Sequence, residues 1–253
     1  MILEELFGES LEQTLETKIQ LRFGGNGRFR VLMISDIHGG VGYNKKKTVA
    51  AIDALVESTR PQLVMLGGDN AGPGVIHIET EDQLRSLLTD ISGPMESRGV
   101  PWAHVFGNHD DNYGVPNRAA ERIYEEFPHC VSKAGPECHG GTGNYLLPVY
   151  PNSGGEPIFG VWGMDSHGGM TEFAQRHGLD EPPKMLHPFA GGHGSYDSVD
   201  FGQVMWYYLV SMGFEKRFGR RLPSMMIMHI PLPEYEIIVT NKDETHFFGY
   251  DDE

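Results

Sequence analysis

The sequence predicts an α/β fold. Three observations predict it. Through the first half, short apolar runs alternate with stretches whose apolar residues recur at helical spacing. The apolar runs end in glycine followed by polar residues, as strands do when they reach a sheet edge. The chain's 253 residues, 39% hydrophobic and 22% charged, also suffice for one sizeable domain with a buried core, or at most two small ones.

In chain order, Ile19–Phe23 and Phe29–Ser35 are apolar runs on either side of Gly-Gly-Asn-Gly, which predicts a hairpin. Val49, Ile52, Leu55 and Val56 share one helical face, and Leu63–Leu66 is a short buried strand ending in Gly67-Gly68. Leu84, Leu87, Leu88 and Ile91 form a second helical stripe, and Trp102–Phe106 is a strand ending in Gly107. This order of strand and helix favours parallel strands joined by crossover helices. Beyond it, Arg118–Phe127 predicts a helix. Asn144–Tyr150 and Pro157–Met164 predict paired strands, Phe201–Met212 a helix and Ser224–Ile230 a strand. Residues 165–198, rich in Gly, His and Pro, predict a long loop or insertion, within which His167, His177, His187 and His193 are expected to be solvated. The stripe Val204, Tyr207, Tyr208 is expected in the core and His104 in a structural role. Lys45-Lys46-Lys47 and the Arg217, Arg220, Arg221 group are expected on solvated faces. No strong boundary divides the chain, so a single domain over residues 1–253 is expected.

The formal net charge is −15, from 35 acidic against 20 basic residues. Such a surface repels nucleic acid and anionic membranes, so neither is an expected partner. A phosphate substrate remains compatible, because bound cations invert the local field. The first residues carry no basic stretch and no long apolar run, and no segment of about 20 apolar residues occurs. A cytoplasmic protein is therefore expected. Cys130 and Cys138 lie close enough for a disulfide, although two free thiols are expected in that compartment, and Cys138-His139 is a weak metal-binding hint.

Four polar clusters follow predicted strands directly: Ser35-Asp36-Ile37-His38-Gly39, Gly67-Gly68-Asp69-Asn70, Gly107-Asn108-His109-Asp110 and His229-Ile230-Pro231. The carboxyl ends of parallel strands share one edge, where ligands bind in open α/β folds. Asp36 and Asp69 are 33 residues apart and Asp69 and Asn108 are 39 apart, room in each interval for one helix and one strand. All three clusters should therefore reach the same edge. Asp, Asn and His offer oxygen and nitrogen donors suited to Mn, Fe or Zn. A carboxylate can bridge two ions. Paired ions can polarise a phosphoryl oxygen and generate a hydroxide near neutral pH.

In their order, D-I-H, G-D-N, G-N-H-D and M-H-I-P, these clusters resemble the motif series of the calcineurin-like metallophosphoesterases, from Val31 to about Tyr235. The resemblance implies two β-sheets flanked by helices in a four-layer sandwich, and hydrolysis of phosphate mono- or diesters by a hydroxide held at two divalent or trivalent metal ions (Mn, Fe or Zn). It also implies site roles. Asp36 and His38 bind the first metal, Asp69 bridges both, and Asn108 and His229 bind the second. His109 is the general acid, or donor to the transition state, beside the phosphate. Asp110 is expected to be catalytic alongside His109, acting either as an orienter of that group or as a helix cap. The implied substrates are small phosphate esters or phosphoproteins.

Three departures from the family's patterns narrow the resemblance. The extension of the second motif in serine/threonine protein phosphatases, GDxxDRG, reads G-D-N-A-G-P-G here. The metal-binding tyrosine of purple acid phosphatases, three residues after the bridging aspartate, is Gly72 here. The segments Gly194–Trp206 and His229–Tyr235 look like a branch near the purple acid phosphatases that lacks the tyrosine. Most consequential, the closing GHxH, which in the family gives each metal one more ligand, is not in the sequence. The simplest account is that the chain stops before the final strands; the alternative is substitution by His246 or a loop histidine. A competing expectation follows, that the protein is a catalytically impaired fragment or a non-catalytic family member.

Overall fold

Side chains of a strand alternate between two faces, and that alternation sorts this chain into layers. The computed structural model describes residues 2–40, 43–72, 78–110, 114–136, 141–169, 174, 178–180 and 196–235. Strands β2 (Val31–Ile34), β3 (Leu63–Leu66) and β4 (Trp102–His104) form a three-stranded sheet in that order, all parallel. Val64 and Leu66 join a core cluster with α3 (Lys45–Thr59), α4 (Glu81–Glu96) and α5 (Asn117–Glu125). Leu63, Met65 and Ala103 belong to a second cluster, with Leu147 and Val149 of β5 (Tyr145–Tyr150), Val161 of β6 (Phe159–Gly163) and Ile227 of β7 (Ser224–Ile227). The second sheet runs β1 (Leu21–Arg22), β5, β6, β7, with only the β5–β6 pair antiparallel. On its far side Leu146 and Trp162 meet Trp206 and Val210 of α6 (Phe201–Phe218) and Leu3 of α1 (Ile2–Phe7). The layers are therefore helices, sheet, sheet, helices, the expected two-sheet arrangement.

Helix α4 shows how sequence pattern becomes packing. Thr80 and Gln83 form a reciprocal cap at its start. Leu84, Leu87, Leu88 and Ile91, one stripe at helical spacing, are all buried. Each such side chain contributes about 2 kcal/mol of burial. At the N-terminus, α1 and α2 (Leu11–Leu15) are helices that the apolar pattern does not announce. Helix α2 is tied down from outside. The Lys133 ammonium donates to the carbonyls of Gln13, Thr14 and Glu16, and Lys18 to those of Glu125 and Phe127, so each lysine closes the C-terminal end of a helix.

The structure corrects several expectations. The runs flanking Gly-Gly-Asn-Gly are not a hairpin: β1 pairs with β5 and β2 with β3, so the turn carries the chain from one sheet to the other. Phe23 and Phe29, whose ring centroids are 5.8 Å apart, fill the space between the sheets at that crossing. Val204, Tyr207 and Tyr208 are not core residues but lie exposed. The face of α6 that packs inward is Gln203, Trp206, Val210 and Phe214, because both sides of this helix are apolar and periodicity alone does not choose between them. Leu55 is likewise exposed, while Ile52 and Val56 are buried. His167 is buried rather than solvated, since its ring nitrogen finds the Gln203 side chain at 2.9 Å. His177, His187, His193, His246, Cys138 and most of the anticipated insertion lie outside the described residues. His104 is buried, with Nε2 2.8 Å from Glu121 and its ring stacked on Tyr124 at 3.5 Å, a structural setting. Among the described residues, no helix is long and apolar enough to cross a membrane.

Candidate metal centre

The loops leaving β2 and β3 are laced together by their backbones, and side chains of Asp69 and Asp110 tie in the loop after β4. The Asp36 N–H donates to Gly68 (3.0 Å), His38 to Asp69 (2.8 Å) and Gly39 to Asn70 (2.9 Å), so the parallel pairing continues past the strand ends. Within this lacing Asp36, His38 and Asp69 hold left-handed backbone, with φ of 57°, 47° and 51°. Non-glycine residues pay for that conformation, and it clusters at functional sites.

The result is two overlapping groups of donors. His38 Nε2 lies 3.7 Å from an Asp36 oxygen and 3.8 Å from an Asp69 oxygen. His229 Nε2 lies 3.4 Å from Asp69 and 3.1 Å from Asn108 Oδ1. Asp69, common to both, is buried, whereas Asp36 is exposed. Donor atoms of Asp36, Asp69 and His229 all lie within 4.8 Å of one another. The five residues singled out as metal ligands in the sequence are thus brought together, with Asp69 between the two groups. Oxygen and imidazole donors around a shared carboxylate suit a pair of cations.

Electrostatics at the site follow from the same contacts. Burial pushes the Asp69 carboxyl up, but hydrogen bonds from His229 and the His109 backbone, with the charges of both histidines, hold it below its ordinary value. Burial disfavours the His229 imidazolium, yet the hydrogen bond and charge of Asp69, the Gly67 carbonyl and Asp36 raise it to about 9. His229 Nδ1 is 2.9 Å from the Gly67 carbonyl oxygen, which orients the ring so that Nε2 faces Asp69 and Asn108.

His109 donates its backbone N–H to Asp69 Oδ1 at 2.9 Å, and its ring meets that of His38 edge-on, centroids 5.6 Å apart. That places its imidazole beside the donor cluster. Asp110 faces inward and is buried. Its carboxylate accepts the N–H groups of Gly107 (2.7 Å), Asp69 (2.9 Å) and Ala71 (3.2 Å), tying the loop after β4 to the loop after β3. Burial pushes this carboxyl up to about 7, with the N–H groups opposing and the Asp69 charge adding to the rise. Its contacts are those of an orienter of both loops.

Two glycines are demanded by close approach. A Cβ on Gly68, whose φ is +97°, would lie 2.5 Å from the His229 ring. A Cβ on Gly72 would lie 2.5 Å from His38, so no side chain fits there without displacing that histidine. Sequence reasoning missed Ser166, whose Oγ accepts the Ile230 N–H at 2.8 Å beside His229. Its neighbours Asp165 and His167 stand in the stretch that reads as loop, and only the position of β6 next to β7 brings Ser166 to the site.

Comparison with known proteins points to one family. Residues 29–247 match the family described as calcineurin-like phosphoesterase. The chain is 26% identical to "Probable inactive purple acid phosphatase 14" of Arabidopsis thaliana over 89% of its own length and 59% of that protein's. It is 26% identical to "Phosphatase DCR2" of Saccharomyces cerevisiae, covering 83% of the chain and 36% of that protein. It is 27% identical to "Probable inactive purple acid phosphatase 28" of Arabidopsis thaliana, covering 85% and 56%. The chain therefore spans about half the length, or less, of these curated relatives.

Proposed function

This chain belongs to the calcineurin-like phosphoesterase family, and from that premise we propose that it hydrolyses phosphate esters at a two-metal centre formed by Asp36, His38, Asp69, Asn108 and His229. The observation that carries the proposal is the pair of donor groups meeting on the buried Asp69 carboxylate. Asp36 and His38 would hold one ion and Asn108 and His229 the other, with Asp69 shared. Two cations bound there supply Lewis acidity toward a phosphoryl oxygen and activate water at neutral pH. The protein's own part is to fix the donors through the laced loops, to keep Asp69 ionised, and to present His109 as the proton donor for the departing oxygen. Small phosphate esters and phosphoproteins are the proposed substrate class. Both sheets sharing one core supports one domain as the carrier of the site.

The test is hydrolysis of an aryl phosphate with added Mn²⁺. Asp69→Asn and His109→Ala should each lose about a hundredfold or more in rate. Equal rates in all three proteins overturn the assignment.

A second reading has its own support. Two of these relatives are named probable inactive. On this reading the protein is a non-catalytic member acting through its surface. Metal content separates the two: about two ions per chain at saturating Mn²⁺ favours the enzyme, and none favours the non-catalytic member.

A further inference from the structure

Non-glycine residues with positive φ are Asp36, His38, Asp69, Arg60 and His167 among the described residues. The first three hold the donor cluster. Arg60 ends α3 as its C-cap, donating its N–H to the Val56 carbonyl, which accounts for its left-handed backbone. His167, with φ of 63°, is left without such an account. A left-handed residue of this kind is strained and persists only where its surroundings over-determine it.

The surroundings do so. The His167 N–H donates to Asp165 Oδ1 at 2.9 Å, and its ring Nε2 lies 2.9 Å from Gln203 Oε1. The other Asp165 oxygen accepts the Thr142 N–H at 2.9 Å. The Gln203 amide donates to Asn144 Oδ1 (2.8 Å) and to the Asp165 carbonyl (2.6 Å), and its oxygen also accepts the Asp200 N–H (2.8 Å). Asp165, Ser166, His167, Asn144 and Gln203 are all buried. These bonds converge on the buried Asp165 and Gln203 and fix the turn at His167, while Asn144 Nδ2 has no partner among the described residues. Toward the site it presents Ser166 Oγ, which accepts the Ile230 N–H at 2.8 Å, one residue beyond His229.

We propose that Ser166 is a positioning residue for His229, presented by the left-handed turn at His167 and the network centred on Gln203. His229 then has two anchors. The Gly67 carbonyl holds its ring at Nδ1, and Ser166 holds the backbone beside it. The proposal rests on the phosphoesterase reading for what His229 binds, but not for how it is held.

The experiment compares the full chain with Ser166→Ala. Ser132→Ala serves as control, because Ser132 is a buried serine near Cys130, which bridges to the start of β4, the far end of that strand from Asn108. Calorimetric titration of metal-free protein with Mn²⁺ should show Ser166→Ala weakening one of the two ion sites about tenfold, as loss of an outer-shell partner does, while the other site and the control are unchanged. In metal-free protein, the ring cross-peak of His229 in a proton–carbon NMR spectrum should broaden or double in Ser166→Ala, with that of His38 unmoved. Wild-type titration by Ser166→Ala overturns the proposal, and so does equal weakening of both sites. If the wild type takes up no Mn²⁺, the phosphoesterase reading falls on that result. The His229 signal then decides this proposal alone: unchanged by Ser166→Ala, it overturns it; broadened or doubled, it supports it.

Discussion

The two sheets deliver their shares of the metal centre by different means. The three-stranded parallel sheet brings Asp36, His38, Asp69 and Asn108 on loops that leave neighbouring strands and stay bonded to one another beyond the strand ends. The four-stranded sheet brings His229 alone, and it does so across the core. The ring rests on the Gly67 carbonyl of the other sheet's loop, and the backbone hangs from Ser166. One share is preassembled by local backbone geometry; the other exists only when two sheets have packed. Damage to the first should appear mainly as lost stability. Damage to the second should appear mainly as a lost ion in a protein that still folds.

The largest expected effect tests the first half of that contrast. Asp110 is the acceptor for three backbone N–H groups in two loops. Asp110→Ala leaves them buried and unpaired, at a cost of about 3 kcal/mol or more, which lowers the melting temperature by roughly 6–12 °C for a chain of this size. Thermal unfolding of metal-free protein measures it, and a change within 1–2 °C (about 0.5 kcal/mol) would break the comparison. Next in size is Gly68→Ala. The new methyl meets the His229 ring at 2.5 Å and the residue must keep φ at +97°. The expected cost is about 2 kcal/mol, with loss of one Mn²⁺ and retention of the other. Calorimetry reads the stoichiometry; both ions bound at wild-type affinity would show that His229 does not depend on that glycine.

The same contrast explains what was legible in the sequence. Asp36, Asp69 and Asn108 could be placed together because each follows a short apolar strand, and parallel strands share an edge. Their motif order supplied the family. Short-range patterns also located Leu63–Leu66 and the buried stripe of α4. What failed was long-range. Gly-Gly-Asn-Gly looks like a hairpin turn, yet the strands on either side pair with β5 and β3 in different sheets, a choice made by partners more than 30 residues away. Tyr207 and Tyr208 look like core, but α6 is apolar on both faces and packs through Trp206 and Val210. His167 looks solvated, and Ser166 lies in the same predicted loop. They are buried because α6 delivers Gln203 and β7 delivers Ile230 to them.

The smallest expected effect concerns pH and sharpens the contrast at His229. In the ion-free protein its pKa is raised to about 9 from an ordinary 6.5. A base whose pKa is raised by folding stabilises the fold fully below its unfolded value, and that stabilisation disappears as pH climbs through the folded value. The stability difference between wild type and His229→Ala, both metal-free, should therefore shrink by about 1 kcal/mol between pH 6 and 10, a figure reduced for solvent screening. Metal binding runs the other way. An ion taken at Nε2 must displace the proton, so Mn²⁺ affinity should rise across the same interval, with proton release on binding below pH 9. Urea unfolding of the pair and calorimetry in buffers of different ionisation enthalpy measure the two slopes. Opposite signs are what a histidine held by Asp69 and Gly67 requires. Slopes of the same sign would mean that the proton and the ion do not compete for His229, and the second half of the site would have to be sought elsewhere.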